Sequence, residues 1–354
     1  MNTQPTLRSV IDQLVAESFA IPEEYEQLVT RLKIEKKEAG SPWYVRLFAG
    51  LSAWIAAVFF ISFLFEADIL QNEESGMVLG LLFCAIAVGL NRRGPRNGFW
   101  GQLGLALSLS GQVLFIMGLG RLWDEVVPVA LALISLEILL IWAYQDRLHR
   151  FIATVVVTGA ILTMIVDTEF YEAVHLLILA LAAGVFLRFR RESDLLVSGW
   201  DELARPLGYG AAVSLLGVLI LPLVEEFDVQ WWWITAVLLL VVLLFLVSQI
   251  AADLGLSLGS GAMTWLLAGC VALLAPAVRT PGILGAFLLL LLGFWRSNRL
   301  LAGLAAVFLL FYLGAYYYSL EWTLLVKSFA LIATGAILFL LRFILLRFNR
   351  GGAL

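Results

Sequence analysis

The sequence predicts an all-α protein, a polytopic bundle that crosses a membrane about twelve times. Of its 354 residues, 62% are hydrophobic and only 14% are charged, whereas charged residues make up roughly a quarter of an ordinary soluble domain. The chain beyond residue 44 also divides into apolar runs, each about as long as a spanning helix must be. So little charge on so apolar a chain excludes both a soluble fold and intrinsic disorder.

Residues 1–44 are polar and predict a cytoplasmic segment of two short amphipathic helices. Leu7, Val10, Ile11 and Leu14 recur at the spacing of one helical face. The second helix is expected to begin just after Pro22, where glutamates suit the positive end of a helix dipole. Such a segment either holds a partner or lies on the membrane surface, or it packs against the protein's own cytoplasmic loops.

Apolar runs bounded by charged or turn-forming residues predict the membrane spans. We expect twelve of them, at 45–65, 76–90, 101–119, 126–144, 149–166, 171–187, 206–224, 230–249, 260–278, 281–297, 299–318 and 322–345. The ninth and tenth are separated by only a few residues, so a re-entrant pair would reduce the count to ten. Residues 45–354 therefore form one transmembrane domain. A cytoplasmic loop, 188–205, joins two possible halves, 45–187 and 206–350.

The distribution of basic residues predicts the orientation. If the N-terminus is cytoplasmic, all but three of the 23 basic residues fall in cytoplasmic segments, the exceptions being Arg121, Arg279 and Lys327. Cytoplasmic loops carry the excess of Lys and Arg in membrane proteins. Both termini are therefore expected to be cytoplasmic. The outer loops are rich in acidic residues, which either attract cations or a basic partner or supply polarity where basic residues are excluded.

A few ionisable or polar side chains fall inside the predicted spans. A charge at mid-membrane is costly, so such residues usually face the bundle interior and carry function. Glu137 and Lys327 have similar depths from the outer face, and the third span adds polar residues to the proposed interior site: Gln112, Ser108 and Ser110. The alternative is that Lys327 snorkels to the interface and that Glu137 is a neutral structural group. His175, near the outer end of the sixth span, is a candidate proton-sensitive group.

The C-terminal stretch carries the pattern Tyr-Tyr-x-Leu-x-x-Thr-Leu-Leu-x-Lys-Ser, beginning at Tyr317. This pattern resembles uncharacterised bacterial multi-pass membrane proteins that are known only as a domain of unknown function. The resemblance implies a bacterial inner-membrane location and pairing with a partner that carries a Gly-Asp-Tyr-x-x-Leu-x-Tyr motif, and it implies no activity. It singles out an outer cluster for a shared role: Tyr317, Tyr318, Leu320, Thr323 and Ser328. Interfacial anchoring is the alternative role for its aromatic rings.

These features favour a transporter or channel-like protein with an interior polar site around Glu137. The alternative is a non-enzymatic membrane scaffold or partner subunit, and the third possibility is an intramembrane enzyme. The sequence shows no catalytic constellation, no metal-ligand spacing and no cofactor motif, so we expect no enzyme. Its basic residues are spread over short loops, which does not indicate nucleic-acid binding. The expected partners are the lipid bilayer and a membrane protein.

Overall fold

All the regular secondary structure in the part of the chain that the computed structural model describes is helical. That part comprises residues 73–93, 99–224, 231–253, 261–274 and 280–319, with isolated positions between 48 and 66, at 255 and 277, and between 323 and 339. The α-helices, in chain order, are α1 (Glu73–Arg93), α2 (Phe99–Leu122), α3 (Val126–Ala143), α4 (Arg147–Asp167), α5 (Ala173–Arg190), α6 (Glu192–Val197), α7 (Asp201–Val218), α8 (Trp232–Asp253), α9 (Gly261–Leu274), α10 (Pro281–Trp295) and α11 (Arg299–Ser319). A short 3-10 turn, Leu221–Leu223, follows α7.

Eight of the described helices are long and apolar enough to cross a membrane. They are α1, α2, α3, α4, α5, α7 with its 3-10 turn, α8 and α11. They match the second to eighth and the eleventh predicted spans, which confirms the prediction of a helical membrane protein. The N-terminal segment lies outside the described residues, as do the first and twelfth predicted spans apart from isolated positions.

The chain divides into two compact units. The first comprises Met1–Glu125 and Trp142–Asp146, and the second comprises Val126–Ile141 and Arg147–Leu354. The described helices of the first unit are α1 and α2. The second unit contains α4 to α11 and all of α3 except its last two residues.

In the first unit, α1 and α2 approach each other through small residues. A Cβ atom added to Gly80 would lie 2.5 Å from the backbone nitrogen of Phe115, and one added to Gly111 would lie 2.8 Å from Cys84 Sγ. Gly76, Gly80 and Cys84 follow one another at intervals of four, so they lie on one helix face. Small residues at this interval let two helix backbones pack closely, as they do in membranes.

The second unit packs around large aliphatic side chains. Fully buried residues at its centre include Ile178 of α5, Leu215 of α7, Leu239 of α8 and Leu288 of α10. Large side chains dominate the contacts, with close approaches at a few glycines only. At one of these, a Cβ on Gly293 would lie 2.7 Å from the backbone nitrogen of Ala302, so α10 meets α11 tightly there.

Helix α10 is shorter than the helices around it but lies deep in the core. Its 15 residues would extend about 22 Å at the usual rise per residue. Gly282 in its first turn packs against the ring of Tyr312, near the end of α11. At its other end, Trp295 Nε1 donates a 3.1 Å hydrogen bond to Asp253, the last residue of α8. Helix α10, the predicted tenth span, therefore contacts α11 at one end and the last residue of α8 at the other.

Candidate functional site

The carboxyl group of Glu137 is enclosed in the interior. Glu137 is fully buried and shares the inward face of α3 with Leu133, Leu136 and Leu140. Ile138 and Leu139 lie on the opposite face, and each residue is more than half exposed. Neither carboxyl oxygen of Glu137 has a hydrogen-bond partner among the described residues. The acid thus faces the protein interior rather than lipid, in a helix whose other side chains are mostly apolar.

The other residues of the predicted interior site lie in different parts of the chain. Ser108, Ser110 and Gln112 are buried in α2 of the first unit. The carbonyl oxygen of Ser108 accepts a hydrogen bond from Cys84 Sγ at 3.6 Å, which ties these polar positions to the close packing of α1 and α2. Lys327 lies outside the described residues. A common site with Glu137 stays a prediction.

His175 forms a buried contact between two helices. Its Nδ1 lies 2.5 Å from the hydroxyl of Thr235, and its ring meets the edge of Trp232 with centroids 5.9 Å apart. His175 belongs to the first turn of α5, and Thr235 to that of α8. Thr235 was not singled out from the sequence, because nothing in it shows that these two spans are neighbours. The contact fixes the outer ends of α5 and α8 to each other in the predicted topology.

The outer aromatic cluster is described only in part. Tyr317 and Tyr318 occupy the last turn of α11, where their rings are 5.6 Å apart in an edge-on arrangement. Thr323 and Ser328 are exposed, and Leu320 lies outside the described residues. The exposed ring of Tyr318 is compatible with interfacial anchoring.

A second polar region, missed in the sequence, lies where α4 and α7 begin and α5 ends. The buried guanidinium of Arg188 donates from Nη2 to Asp201 Oδ1 at 2.5 Å. Arg150, also buried, donates from Nε to the carbonyl oxygen of Ile141 at 3.0 Å and from Nη1 to that of Glu202 at 3.1 Å. In the sequence both arginines indicate only the orientation of the spans, because the sequence does not reveal their hydrogen-bond acceptors.

The same end of the second unit holds a hydrogen-bonded side-chain pair between α7 and the start of α11. Asn298 Nδ2 donates to the hydroxyl oxygen of Tyr209 at 2.7 Å. Asn298 Oδ1 accepts from the backbone nitrogen of Leu301 at 3.0 Å, which caps the first turn of α11. Hydrogen bonds between polar side chains thus join the helix ends at this side of the unit. Polar and charged residues at helix ends are compatible with the edge of a membrane.

These contacts agree with the alternation of spans predicted for the second unit. Arg188 with Asp201, Tyr209 with Asn298, and Asp253 with Trp295 join positions expected at the inner side. His175 and Thr235 join positions expected at the outer side.

The fold and these interior polar groups define a polytopic helical membrane protein. The sequence profile of the family described as "Domain of unknown function (DUF4401)" matches residues 42–348. The chain belongs to this family, which confirms the resemblance to an uncharacterised domain family. The comparisons with curated proteins and with solved structures gave no match.

Proposed function

We propose that this protein is a membrane transporter in which Glu137 takes up and releases a proton or another small cation. The observation that carries the proposal is the fully buried carboxyl group with no hydrogen-bond partner among the described residues. An ionised carboxylate in this position would be strongly destabilised. The group therefore carries its proton in this conformation, and ionisation requires a change in its surroundings.

Transport supplies a reason for such a group. Ionisable residues inside membrane helices mark ion pathways and proton relays. Because Glu137 is enclosed, exchange with water requires a second conformation that opens α3 to one side of the membrane. Alternation between two such conformations is how secondary transporters move their cargo. The acid on α3 then changes its charge as the conformation changes.

The proposed setting is a bacterial inner membrane with both termini in the cytoplasm. The segregation of Lys and Arg to one side of the predicted spans supports this orientation. In this frame α3 begins at the outer side, and Glu137 lies about eleven residues deep, near the middle of the bilayer. From this depth, a small movement of the helices around Glu137 would expose its proton to water on either side of the membrane.

Proton movement in proteoliposomes tests the proposal. The purified chain is reconstituted with a pH-sensitive dye trapped inside, and a potassium diffusion potential is imposed with valinomycin. We expect the dye to report a larger change in the pH of the vesicle interior than in protein-free vesicles. This additional pH change should be lost in Glu137→Gln. Glu172→Gln is the matched control, since it makes the same chemical change at an exposed acid.

Equal proton movement in wild type and Glu137→Gln would contradict the role of Glu137. Absence of movement in the wild type, with a carboxyl group that never exchanges its proton, would favour the non-enzymatic partner subunit. In that case a second membrane protein should co-purify with the full chain, as the pairing implied by the sequence pattern predicts.

A further inference from the structure

The second unit contains an open groove of about 640 Å³ between the ends of α4, α7 and α11. Its walls are mostly apolar and include Phe151 of α4, Val213 of α7 and Leu304 of α11. Two arginines, Arg147 and Arg205, stand at its rim. The groove therefore combines a hydrocarbon surface with two cationic groups, and this combination suits an amphiphile with an anionic head.

The two rim arginines are exposed and only weakly engaged. Arg205 forms no hydrogen bond or ion pair with a residue in the described ranges. Within the described ranges, the one ion pair of Arg147 joins its Nη2 to a carboxyl oxygen of Glu202 at 4.0 Å, and both side chains are more than two thirds exposed. Such an exposed pair contributes little energy, so Arg147 is free to exchange Glu202 for a ligand.

Two other polar side chains near the groove, those of Asp201 and Tyr209, already have hydrogen-bond partners. Asp201, the nearest further acid in α7, is paired with Arg188. Tyr209, which also lines the groove, is hydrogen-bonded to Asn298. Helices α4, α7 and α11 all begin at this end of the unit, so the positive ends of three helix dipoles add to the field of the arginines. Both charged side chains among the residues that line the groove are cationic, which favours an anion.

We propose that this groove binds one anionic phospholipid. The phosphate lies between Arg147 and Arg205, and an acyl chain runs along Phe151, Val213 and Leu304. The apolar walls favour a lipid over a free phosphate, because only a lipid covers them. Basic pockets between membrane helices at the cytoplasmic side are known settings for anionic headgroups, and the predicted orientation puts these helix ends at that side. The site is independent of Glu137 and of transport.

Native mass spectrometry of the full chain tests the proposal. The protein is released from mixed nanodiscs that contain equal amounts of phosphatidylglycerol and phosphatidylcholine, and the retained lipids are counted. We expect one tightly retained phosphatidylglycerol. In Arg147→Gln with Arg205→Gln, its retention relative to phosphatidylcholine should fall on the order of tenfold. Both side chains are exposed, so this double variant keeps the fold.

A second double variant, Arg92→Gln with Arg191→Gln, is the matched control. It removes the same charge from exposed arginines that are predicted on the same side and do not line the groove. Its lipid retention should equal that of the wild type. An equal fall in both double variants would overturn the groove as the site, since the lipid would then respond to overall charge alone.

The occupant is identified by photo-crosslinking from p-benzoylphenylalanine in place of Val213. We expect an adduct with the mass of a phosphatidylglycerol. A crosslink to residues 1–44 or to a second copy of the chain would show a protein occupant and would overturn the proposal. Displacement of the retained lipid by millimolar inorganic phosphate would also contradict it, because the apolar walls would then contribute nothing.

Discussion

Glu137 and Asp201 are acidic residues of the same unit in opposite circumstances. Asp201, at the start of α7, accepts a 2.5 Å hydrogen bond from the buried guanidinium of Arg188. Glu137, in the middle of α3, is more deeply buried and has no hydrogen-bond partner among the described residues. The comparison separates two uses of a buried charge. The paired acid joins two helices, whereas Glu137, for which the described residues offer no partner, is the acid that we propose to carry a proton.

The comparison predicts that stability and activity respond in opposite ways at the two positions. Removing one partner of a buried ion pair leaves the other charge uncompensated. Replacing a neutral carboxyl group that makes no hydrogen bond changes little in the folded protein. Effects on the free energy of unfolding should therefore be largest at Asp201 and smallest at Glu137.

Asp201→Asn should be the most destabilising of these substitutions, by about 3–5 kcal/mol. The Nε and Nη1 atoms of Arg188 already have no partner among the described residues, so loss of the carboxylate leaves a buried cation with a much weaker acceptor. Steric trapping or denaturant titration in micelles measures the change. Glu202→Gln, the exposed neighbour, should cost less than about 1 kcal/mol. An equal loss of unfolding free energy in the two variants would show that the ion pair of Asp201 is not what stabilises these helix ends.

Thr235→Val should have the next largest effect, about 1–3 kcal/mol, because it takes away a buried hydrogen-bond partner of His175. The hydroxyl of Thr163 is the control. Among the described residues it bonds only to the carbonyl oxygen of Gly159 in its own helix, so Thr163→Val should be close to neutral. If both valine variants unfold at the wild-type denaturant concentration, the contact between α5 and α8 is not stabilising.

Tyr209→Phe should cost about 1 kcal/mol. It removes the hydroxyl group that accepts from Asn298 and keeps the ring, which stacks edge-on with Phe189 at 5.4 Å. Asn298 retains its bond to the backbone nitrogen of Leu301, which limits the loss. The thermal midpoint of the purified protein measures it. A loss as large as that of Asp201→Asn would mean that this neutral pair, and not the ion pair, joins the helix ends.

Glu137→Gln should change the free energy of unfolding by less than about 1 kcal/mol, since the amide has nearly the volume of the neutral acid. Glu137→Leu is the stricter test of whether this carboxyl group has a structural role. Replacing a buried polar group that lacks a partner by an apolar one is neutral or stabilising. The same two variants should lose proton movement. A Glu137→Leu protein that is several kcal/mol less stable would instead identify Glu137 as a structural residue.

The sequence predicted which residues enter the membrane better than it predicted which residues meet. Helix α2 spans Phe99–Leu122, close to the predicted 101–119, because long apolar runs leave few alternatives. Helix α7 begins at Asp201 and not at the predicted 206. Asp201 and Glu202 favour a helix start. Pro206, the sixth residue of α7, cannot donate to the carbonyl oxygen of Glu202, and Arg150 Nη1 donates to that oxygen instead, at 3.1 Å.

The sequence predicts a site residue only where that residue is unusual by itself, without knowledge of its neighbours in the fold. Glu137 is conspicuous because it interrupts an apolar run, and its burial follows from the cost of exposing a charge to lipid. Thr235 and Asp201 are ordinary residues near the ends of spans. Their partners, His175 and Arg188, lie 60 and 13 positions away along the chain. These pairs depend on which helices are neighbours, and hydrophobic periodicity contains no such information.

Infrared spectroscopy of the reconstituted protein tests the protonation of Glu137 most directly. The difference between the wild-type and Glu137→Gln spectra isolates the carbonyl stretch of this one carboxyl group. We predict a protonated carboxyl band that disappears at high pH and shifts in heavy water as the proton exchanges. A carboxylate band at neutral pH, or a protonated band that neither titrates nor exchanges, would contradict a role for Glu137 as a proton carrier.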